Sequence, residues 1–308
     1  MARRSRQVGP SIVGAQTRRS VAVKSQPAGG ARTGDRSHGS AGNAISVRRG
    51  DRVLSCLLTK PCVNELAMTD YKYITLTQQD KIATLTLNRP EQLNALSPDL
   101  FAEAVHALEG IAASRDIGVV ILAANGRAFC AGADLKVFTK PDFTKEQAAE
   151  YTRNADRFAT LLETMPQATI ARVHGICFTG GLEVSLGCDF MVAAHEARFA
   201  DTHAKLGFVP MWGLSQRLPR RVGTQRAKEM SFTAREYSGL EAVEIGLALK
   251  SVPLAELDAC VLQLAQDILK TNQRSVSIYK KMYWQAQNSF LADGIQYEIT
   301  QGYRKKES

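Results

Sequence analysis

The sequence predicts an α/β fold that ends in a wholly helical region, and three observations predict it. Between Ile82 and Val173 short apolar strands alternate with amphipathic helices. No strand-to-helix turn carries the G-x-G-x-x-G of a dinucleotide-binding fold, and from Leu254 onward only helical periodicity remains. Taken in order, Ile82–Asn88 alternates as a strand with Ala83, Leu85 and Leu87 on one face. Ser97 then has the chemistry of an N-cap and Pro98 that of a first helical residue. Behind them Leu100, Phe101, Ala104, Val105, Leu108 and Ile111 form an apolar stripe. Ile117–Ala123 is a continuous apolar run, as in a parallel strand covered on both faces, and it leads into the turn Asn125-Gly126-Arg127. A helix from Lys145 to Leu162 directs Ala148, Tyr151, Ala155, Phe158 and Leu162 inward. Ala168–Val173 reads as a further buried strand, Gly175 to Gly181 as a turn, and Leu182–Cys188 as the opening of a buried helix. The C-terminal helices carry two stripes, Leu257, Val261, Leu264 and Ile268, then Tyr279, Met282, Tyr283 and Ala286, which suit core and subunit packing.

Charge divides the chain unevenly. Residues 1–67 hold 12 Lys+Arg against 3 Asp+Glu, whereas residues 68–308 hold 27 of each, so the basic character belongs to the N-terminal segment. That argues against a nucleic-acid-binding face on the body of the chain. Arg217, Arg220 and Arg221 remain a local basic patch, and a solvated face explains them better than a phosphate contact. Residues 1–67 are rich in Arg, Ser and Gly and read as a disordered extension, either a transit peptide or residues upstream of the true start at Met68. No apolar segment is long enough to span a bilayer. The six cysteines (Cys56, Cys62, Cys130, Cys177, Cys188 and Cys260) lack zinc or CxxC spacing and read as reduced, packed residues. The chain is therefore expected to comprise an extension over 1–67, a core over 68–253 and a helical oligomerisation region over 254–308.

The most informative segment is Ala168–Asp189, which places one acid, Glu183, in an apolar run directly behind Gly180-Gly181. Two readings compete. Gly180-Gly181 is either a tight loop followed by an ordinary first-turn acid, or a place where free backbone N–H groups and the helix dipole receive negative charge beside a desolvated carboxylate. The loop after Ile117–Ala123, Ala128–Lys136 (AFCAGADLK), is a second strand exit with glycine at a close approach. Two such exits supply one N–H each.

These segments resemble the crotonase, or enoyl-CoA hydratase/isomerase, superfamily. The matching residues are Asn88–Ser97 (NRPEQLNALS), Ala128–Lys136, His174–Asp189 (HGICFTGGLEVSLGCD) and Ala197–Gly223, in the family's order over about residues 70–305. The resemblance implies a ββα spiral core, a homotrimer or homohexamer, and an acyl-CoA substrate whose coenzyme A is part of the substrate and not a separate cofactor. It places the oxyanion hole on the backbone N–H groups of Ala133 and Gly180 and the first catalytic glutamate on Glu183. The coenzyme A contacts fall on Ala131, Ala133, Asp134, Leu135, Lys136 and Gly180. No metal is implied.

The chain departs from the hydratase pattern at one position, because His203 stands where a hydratase carries its second glutamate. An imidazole with an ordinary pKa near ~6.5 exchanges protons with water near neutral pH, so His203 is either the second catalytic group or a turn residue packed beside Trp212. Asp201 either reaches the site or shapes the turn, and Trp212 and Met211 either wall the acyl pocket or fill the core. Hydration of a 2-enoyl-CoA by Glu183 with His203 is the leading expectation. Double-bond isomerisation or a lyase reaction through the same enolate is the alternative, and a non-catalytic acyl-CoA binder is a third. The cytoplasm is the expected location, or the mitochondrial matrix if residues 1–67 are a transit peptide.

Overall fold

The computed structural model describes residues 70–138 and 140–302. The expectations for residues 1–67, for a start at Met68 and for Cys56 and Cys62 lie outside the described residues. Strands β1 (Ile74–Gln79) and β2 (Ile82–Leu87) form a hairpin turned at Asp80, followed by helix α1 (Pro98–Ala113). The Ser97 hydroxyl caps α1 by accepting from the Leu100 N–H, and Pro98, which has no N–H to leave unmet, occupies its first turn. Strand β3 (Val119–Ala124) is buried along its whole length, which explains its uninterrupted apolar sequence. The short helix α2 (Leu135–Phe138), helix α3 (Lys145–Thr164) and strand β4 (Ala168–Val173) follow. A capping box between Thr144 and Gln147 starts α3.

The segment read as a turn over Gly175–Gly181 contains instead a strand, β5 (Ile176–Phe178), and α4 begins at Gly180 and runs to Ser185. Flanking backbone decides this. Ile176–Phe178 pairs in parallel with Arg198–Ala200 along its whole length, and on its other edge Cys130 N–H donates to Ile176 O and Phe178 N–H to Cys130 O, at 2.9 and 3.0 Å, so three residues suffice for a strand. Beyond α4 lie β6 (Phe190–Ala194), β7 (Arg198–Ala200), α5 (Leu214–Val222), α6 (Thr224–Thr233), β8 (Tyr237–Ser238), α7 (Gly239–Glu244) and β9 (Lys250–Val252). Helices α8 (Leu257–Leu269), α9 (Gln273–Gln287) and α10 (Leu291–Gly302) close the described chain.

The strands form a six-stranded sheet in the order β1-β2-β3-β4-β6-β9, parallel except for β1, and a three-stranded sheet in the order β5-β7-β8. Bridges Cys130–Cys177 and Leu96–Ala133 carry the smaller sheet's pairing on into the loops after β3 and before α1. The alternation thus winds as repeated strand-strand-helix turns. Helix α1 lies on β1 and β2, α8 on β3, β4 and β6, and α3 on α1 and α4. Leu85, Leu87, Leu108, Val119, Phe158 and Ile170 are fully buried at these faces. Each such side chain contributes about 1.5–3 kcal/mol relative to exposure. Of the C-terminal stripes, Leu257 and Val261 enter the core, whereas Tyr279 and Tyr283 are exposed.

Candidate active site

The spiral brings the first turn of its shortest buried helix against two loop exits. Helix α4 is buried throughout, and Glu183 within it is 1% exposed. Its Oε1 accepts the backbone N–H groups of Trp212 and Leu214 at 3.0 and 3.3 Å. Its Oε2 faces His203 Nε2 at 3.8 Å. Burial pushes the Glu183 carboxyl above the usual carboxylate range, against the opposing pull of His203 and the two backbone donors.

His203 is held from its far side. The Asp201 carboxylate, itself buried, accepts from His203 Nδ1 at 2.7 Å and from its backbone N–H at 3.1 Å. A carboxylate only accepts, so Nδ1 carries the proton and Nε2 is the atom presented to Glu183. Burial alone lowers the imidazole pKa, but the Asp201 hydrogen bond and the charges of Glu183 and Asp201 outweigh it and hold the group above its ordinary value. Asp201, in turn, is held below the usual carboxylate range: its own burial works the other way, and the hydrogen bonds from His203 and Ser231 prevail. A gap of 3.8 Å is too long for a direct hydrogen bond and short enough for one water to touch both atoms.

The backbone donors lie alongside. In the Leu96–Ala133 bridge, Leu96 N–H donates to Gly132 O and Asp134 N–H to Leu96 O, which turns the intervening Ala133 N–H to the other side. Gly180 opens α4, where first-turn N–H groups have no intrahelical acceptor. Among the described residues neither N–H has an acceptor. A methyl group on Gly180 would stand 3.2 Å from Ala133 N and 2.6 Å from the Trp212 ring, so both donors border one small space that only glycine leaves open. Thr179, just before, is held at φ 44°, a strained setting for a β-branched residue.

The residues assigned to coenzyme A contact are divided. Asp134 is buried and ion-paired with Arg89 at 2.9 Å, and its other oxygen accepts from Lys136 N–H, so its carboxylate shapes the loop. Ala131 is anchored through its N–H to Leu93 O, and Leu135 and Lys136 are exposed. Lys136 lines a cavity of about 580 Å³ together with Arg89, Lys140, Tyr73 and Tyr151. On the His203 side a second cavity of about 390 Å³ is walled by Phe208, Val209, Leu214 and Phe232.

Several open readings are decided here. Trp212 is buried against Phe101 and Tyr151, with ring centroids 5.3 Å apart in both pairs, while Met211 is 59% exposed. Cys130 is wholly buried and burial pushes its thiol up to about 12, which leaves it inert as a nucleophile. The basic patch is not the solvated face expected: Arg217 binds Glu163 and Trp212 O, Arg221 donates to Cys188 O at 2.9 Å, and Arg220 alone is exposed. Helix α5 packs on α4 and α6, and that tertiary contact draws two of the three guanidinium groups inward. No group of three or more His, Cys, Asp or Glu side chains among the described residues is arranged to hold a metal ion. The sequence reading missed the Trp212–Leu214 turn as the holder of Glu183 and the Arg89–Asp134 pair. Gly213 directly after a tryptophan was the one local sign of the turn.

Residues 77–306 match the family model described as enoyl-CoA hydratase/isomerase. A probable enoyl-CoA hydratase of Mycobacterium bovis is 34% identical over 230 residues, which are 74% of this chain and 87% of that one. The crystal structure of an enoyl-CoA hydratase from Bacillus anthracis superposes with a TM-score of 0.71 at 34% identity, over 74% of this chain and 89% of that chain. A putative enoyl-CoA hydratase of Thermobifida fusca YX, solved in complex with acetoacetyl-CoA, superposes with a TM-score of 0.68 at 29% identity, over 74% and 92%.

Proposed function

The chain belongs to the enoyl-CoA hydratase/isomerase family, and from that premise we propose that it adds water to a 2-enoyl-CoA, with Glu183 and His203 as the proton-transferring pair. The observation that carries this reading is the convergence of the buried Glu183 carboxylate, His203 Nε2 at 3.8 Å and the uncommitted N–H groups of Ala133 and Gly180.

In the proposed reaction a water touching Glu183 Oε2 and His203 Nε2 adds its hydroxyl to C3 of the enoyl group, and its proton passes to Nε2. The electron pair moves through the former double bond to the thioester oxygen, which rests on the N–H groups of Ala133 and Gly180. Glu183 then gives its proton to C2 as the thioester carbonyl re-forms, and transfer from His203 to Glu183 restores the starting state. A carboxyl held up by burial is suited to being the donor. A donor of the oxyanion-hole kind is worth about 10²–10³-fold in rate. Asp201 fixes the imidazole tautomer and favours the imidazolium that forms in the first step. The loop Ala131–Lys136, with Lys136 and Lys140 at the mouth of the larger cavity, supplies the coenzyme A contacts, since lysine ammonium groups suit phosphates. We propose a homotrimer or homohexamer acting in the cytoplasm, or in the mitochondrial matrix if residues 1–67 are a transit peptide.

One observation favours a second reading within the family. A single carboxylate with an imidazole partner is sufficient to move a proton between two carbons, so isomerisation of a 3-enoyl-CoA, or a lyase reaction through the same enolate, needs nothing the site lacks. A panel of crotonyl-CoA, longer 2-enoyl-CoAs, 3-enoyl-CoAs and β-hydroxyacyl-CoAs separates them. Hydration predicts loss of the conjugated enoyl absorbance with crotonyl-CoA or a longer 2-enoyl-CoA. Turnover of 3-enoyl-CoA alone replaces hydratase by isomerase.

A further inference from the structure

The residues that hold Glu183 are themselves held, and the holder is the arginine of the basic patch that the proposed reaction leaves unused. Trp212-Gly213-Leu214 is the turn whose first and last N–H groups donate to Glu183 Oε1. Between those donors the backbone passes through Gly213 at φ 96°, a left-handed setting that a side chain resists and that tertiary contacts must maintain. Two side chains maintain it from opposite sides. The Trp212 indole packs edge-on against the touching rings of Phe101 and Tyr151 in the core. The Arg217 guanidinium meets the turn through its Nη1 end: Nη1 donates to Trp212 O at 2.9 Å, and a methyl on Gly213 would meet that Nη1 at 2.1 Å. Its remaining donors, Nε and Nη2, go to Glu163 Oε2 near the end of α3 at 3.3 and 3.0 Å. The arginine side chain is 14% exposed and the glutamate side chain 25%, so both are well shielded from solvent.

We propose that Arg217, locked by Glu163, is a positioning residue for Glu183: it fixes the Trp212–Leu214 turn so that two backbone N–H groups aim at one carboxylate oxygen and leave the other free for proton transfer. This inference rests on the assignment of Glu183 as the acid/base and adds the element that aims it. The planar fork of arginine suits the task. One face of donors takes the carboxylate on α3 and the remaining N–H takes the turn carbonyl, whereas a lysine ammonium on a flexible stem reaches one acceptor or the other. Helix α3 thereby serves the site twice, through Tyr151 against the indole and through Glu163 against the guanidinium.

The charged groups that act directly on Glu183 are His203 and Asp201, from the segment after β7. Tyr151 on α3 and Cys130 in the loop after β3 pack on Trp212 and Gly181 and are held uncharged by burial. Arg217 and Glu163 work through the turn. Releasing the turn removes hydrogen bonds that favour the carboxylate form, so the Glu183 titration moves to higher pH.

The test is a carbon-13 NMR titration of the glutamate side-chain carboxyls in the full chain, with the Glu183 signal assigned by its loss in Glu183→Gln. Arg217→Ala, Arg217→Lys and Glu163→Gln are compared with the parent, alongside melting temperature and kcat and KM on whichever acyl-CoA the parent turns over. The expected result is an upward shift of the Glu183 midpoint by about half a pH unit or more in Arg217→Ala. A fall in kcat of roughly tenfold with KM little changed should accompany it, with partial recovery in Arg217→Lys. The Arg217→Ala/Glu163→Gln pair should lose less than the sum of its parts, because the two act as one unit. If Arg217→Ala does not fold, Arg217→Lys and Glu163→Gln decide by the same titration. A lowered melting temperature with an unmoved Glu183 midpoint in every folded variant overturns the proposal and leaves Arg217 a packing residue. The titration needs no turnover, so it stands apart from the outcome of the substrate panel.

Discussion

Glu183 and His203 are each displaced in pKa by their surroundings, and the displacements have separate consequences. Glu183→Gln keeps the shape of the side chain and an acceptor for the Trp212 and Leu214 N–H groups, so folding and coenzyme A binding should survive while kcat falls by about 10²-fold or more. An unchanged rate on a confirmed substrate would remove Glu183 from the reaction. His203→Glu should retain or raise hydration, because it restores a carboxylate pair around the water. Stability should depend on pH through His203 in a definite direction. Its pKa in the fold lies above the ordinary 6.5, so the folded state binds the proton more tightly than the unfolded chain does. The resulting stabilisation is complete below about pH 6.5 and is lost as the pH rises through the folded value. Asp201, held below its ordinary 3.8, contributes stability above that value and loses it as the pH falls through its folded value. Melting curves of the parent and His203→Gln should therefore differ most on the acid side of neutrality and converge at alkaline pH.

At the scale of elements, a buried polar contact ties α9 to the residues flanking β4 and β6. Lys280 on α9 donates to Leu162 O and Gln167 O at 2.7 and 2.9 Å and pairs with Asp189 at 2.7 Å, its side chain only 6% exposed. Burial pulls its ammonium pKa below the usual lysine value, and Asp189 opposes that fall. Lys280→Ala removes a donor from Leu162 O and Gln167 O and leaves Asp189 without its counter-charge, with Thr169 still donating to Asp189 and Leu162 O, and urea denaturation should report a loss of about 3 kcal/mol. A loss within about half a kcal/mol would show that α9 is held by its apolar contacts instead. The same elements show what periodicity conveys. The stripes of α1 and α3 enter the core as their spacing indicates, save Val105 and Ala148, which stay half-buried, whereas β5 was legible only as a turn. Three residues carry no period, and pairing with Arg198–Ala200 makes them a strand.

For the whole molecule, two groups stand out among the exposed apolar side chains of the described residues. Phe208, Val209 and Phe232 lie on the His203 side. Tyr279, Tyr283, Phe290 and Leu291 border a groove of about 1020 Å³ between α9 and α10. Clustered exposure of this kind is typical of surfaces that another chain covers. The proposed trimer or hexamer should appear in sedimentation at micromolar concentration, and Tyr283→Glu should shift the distribution toward monomer. A monomeric parent would refute the assembly.

The sequence by itself determined the α/β alternation, the capped start of α1, the buried strand β3 and the family, because each is written in local spacing or in a contiguous motif. It also marked Glu183 as a candidate, an acid in an apolar run behind Gly180-Gly181, whereas Ala133 and Gly180 were proposed as backbone donors through the family resemblance. Only the tertiary structure decided how Glu183 is aimed and which atom of His203 meets it. Asp201, the Trp212–Leu214 turn and the Arg217–Glu163 pair reach the site from β7, α5 and α3, and their roles arise from distances across the fold that no local pattern encodes. The same holds for Arg89 and Asp134, 45 residues apart, whose ion pair forms only once the loops after β2 and β3 lie side by side.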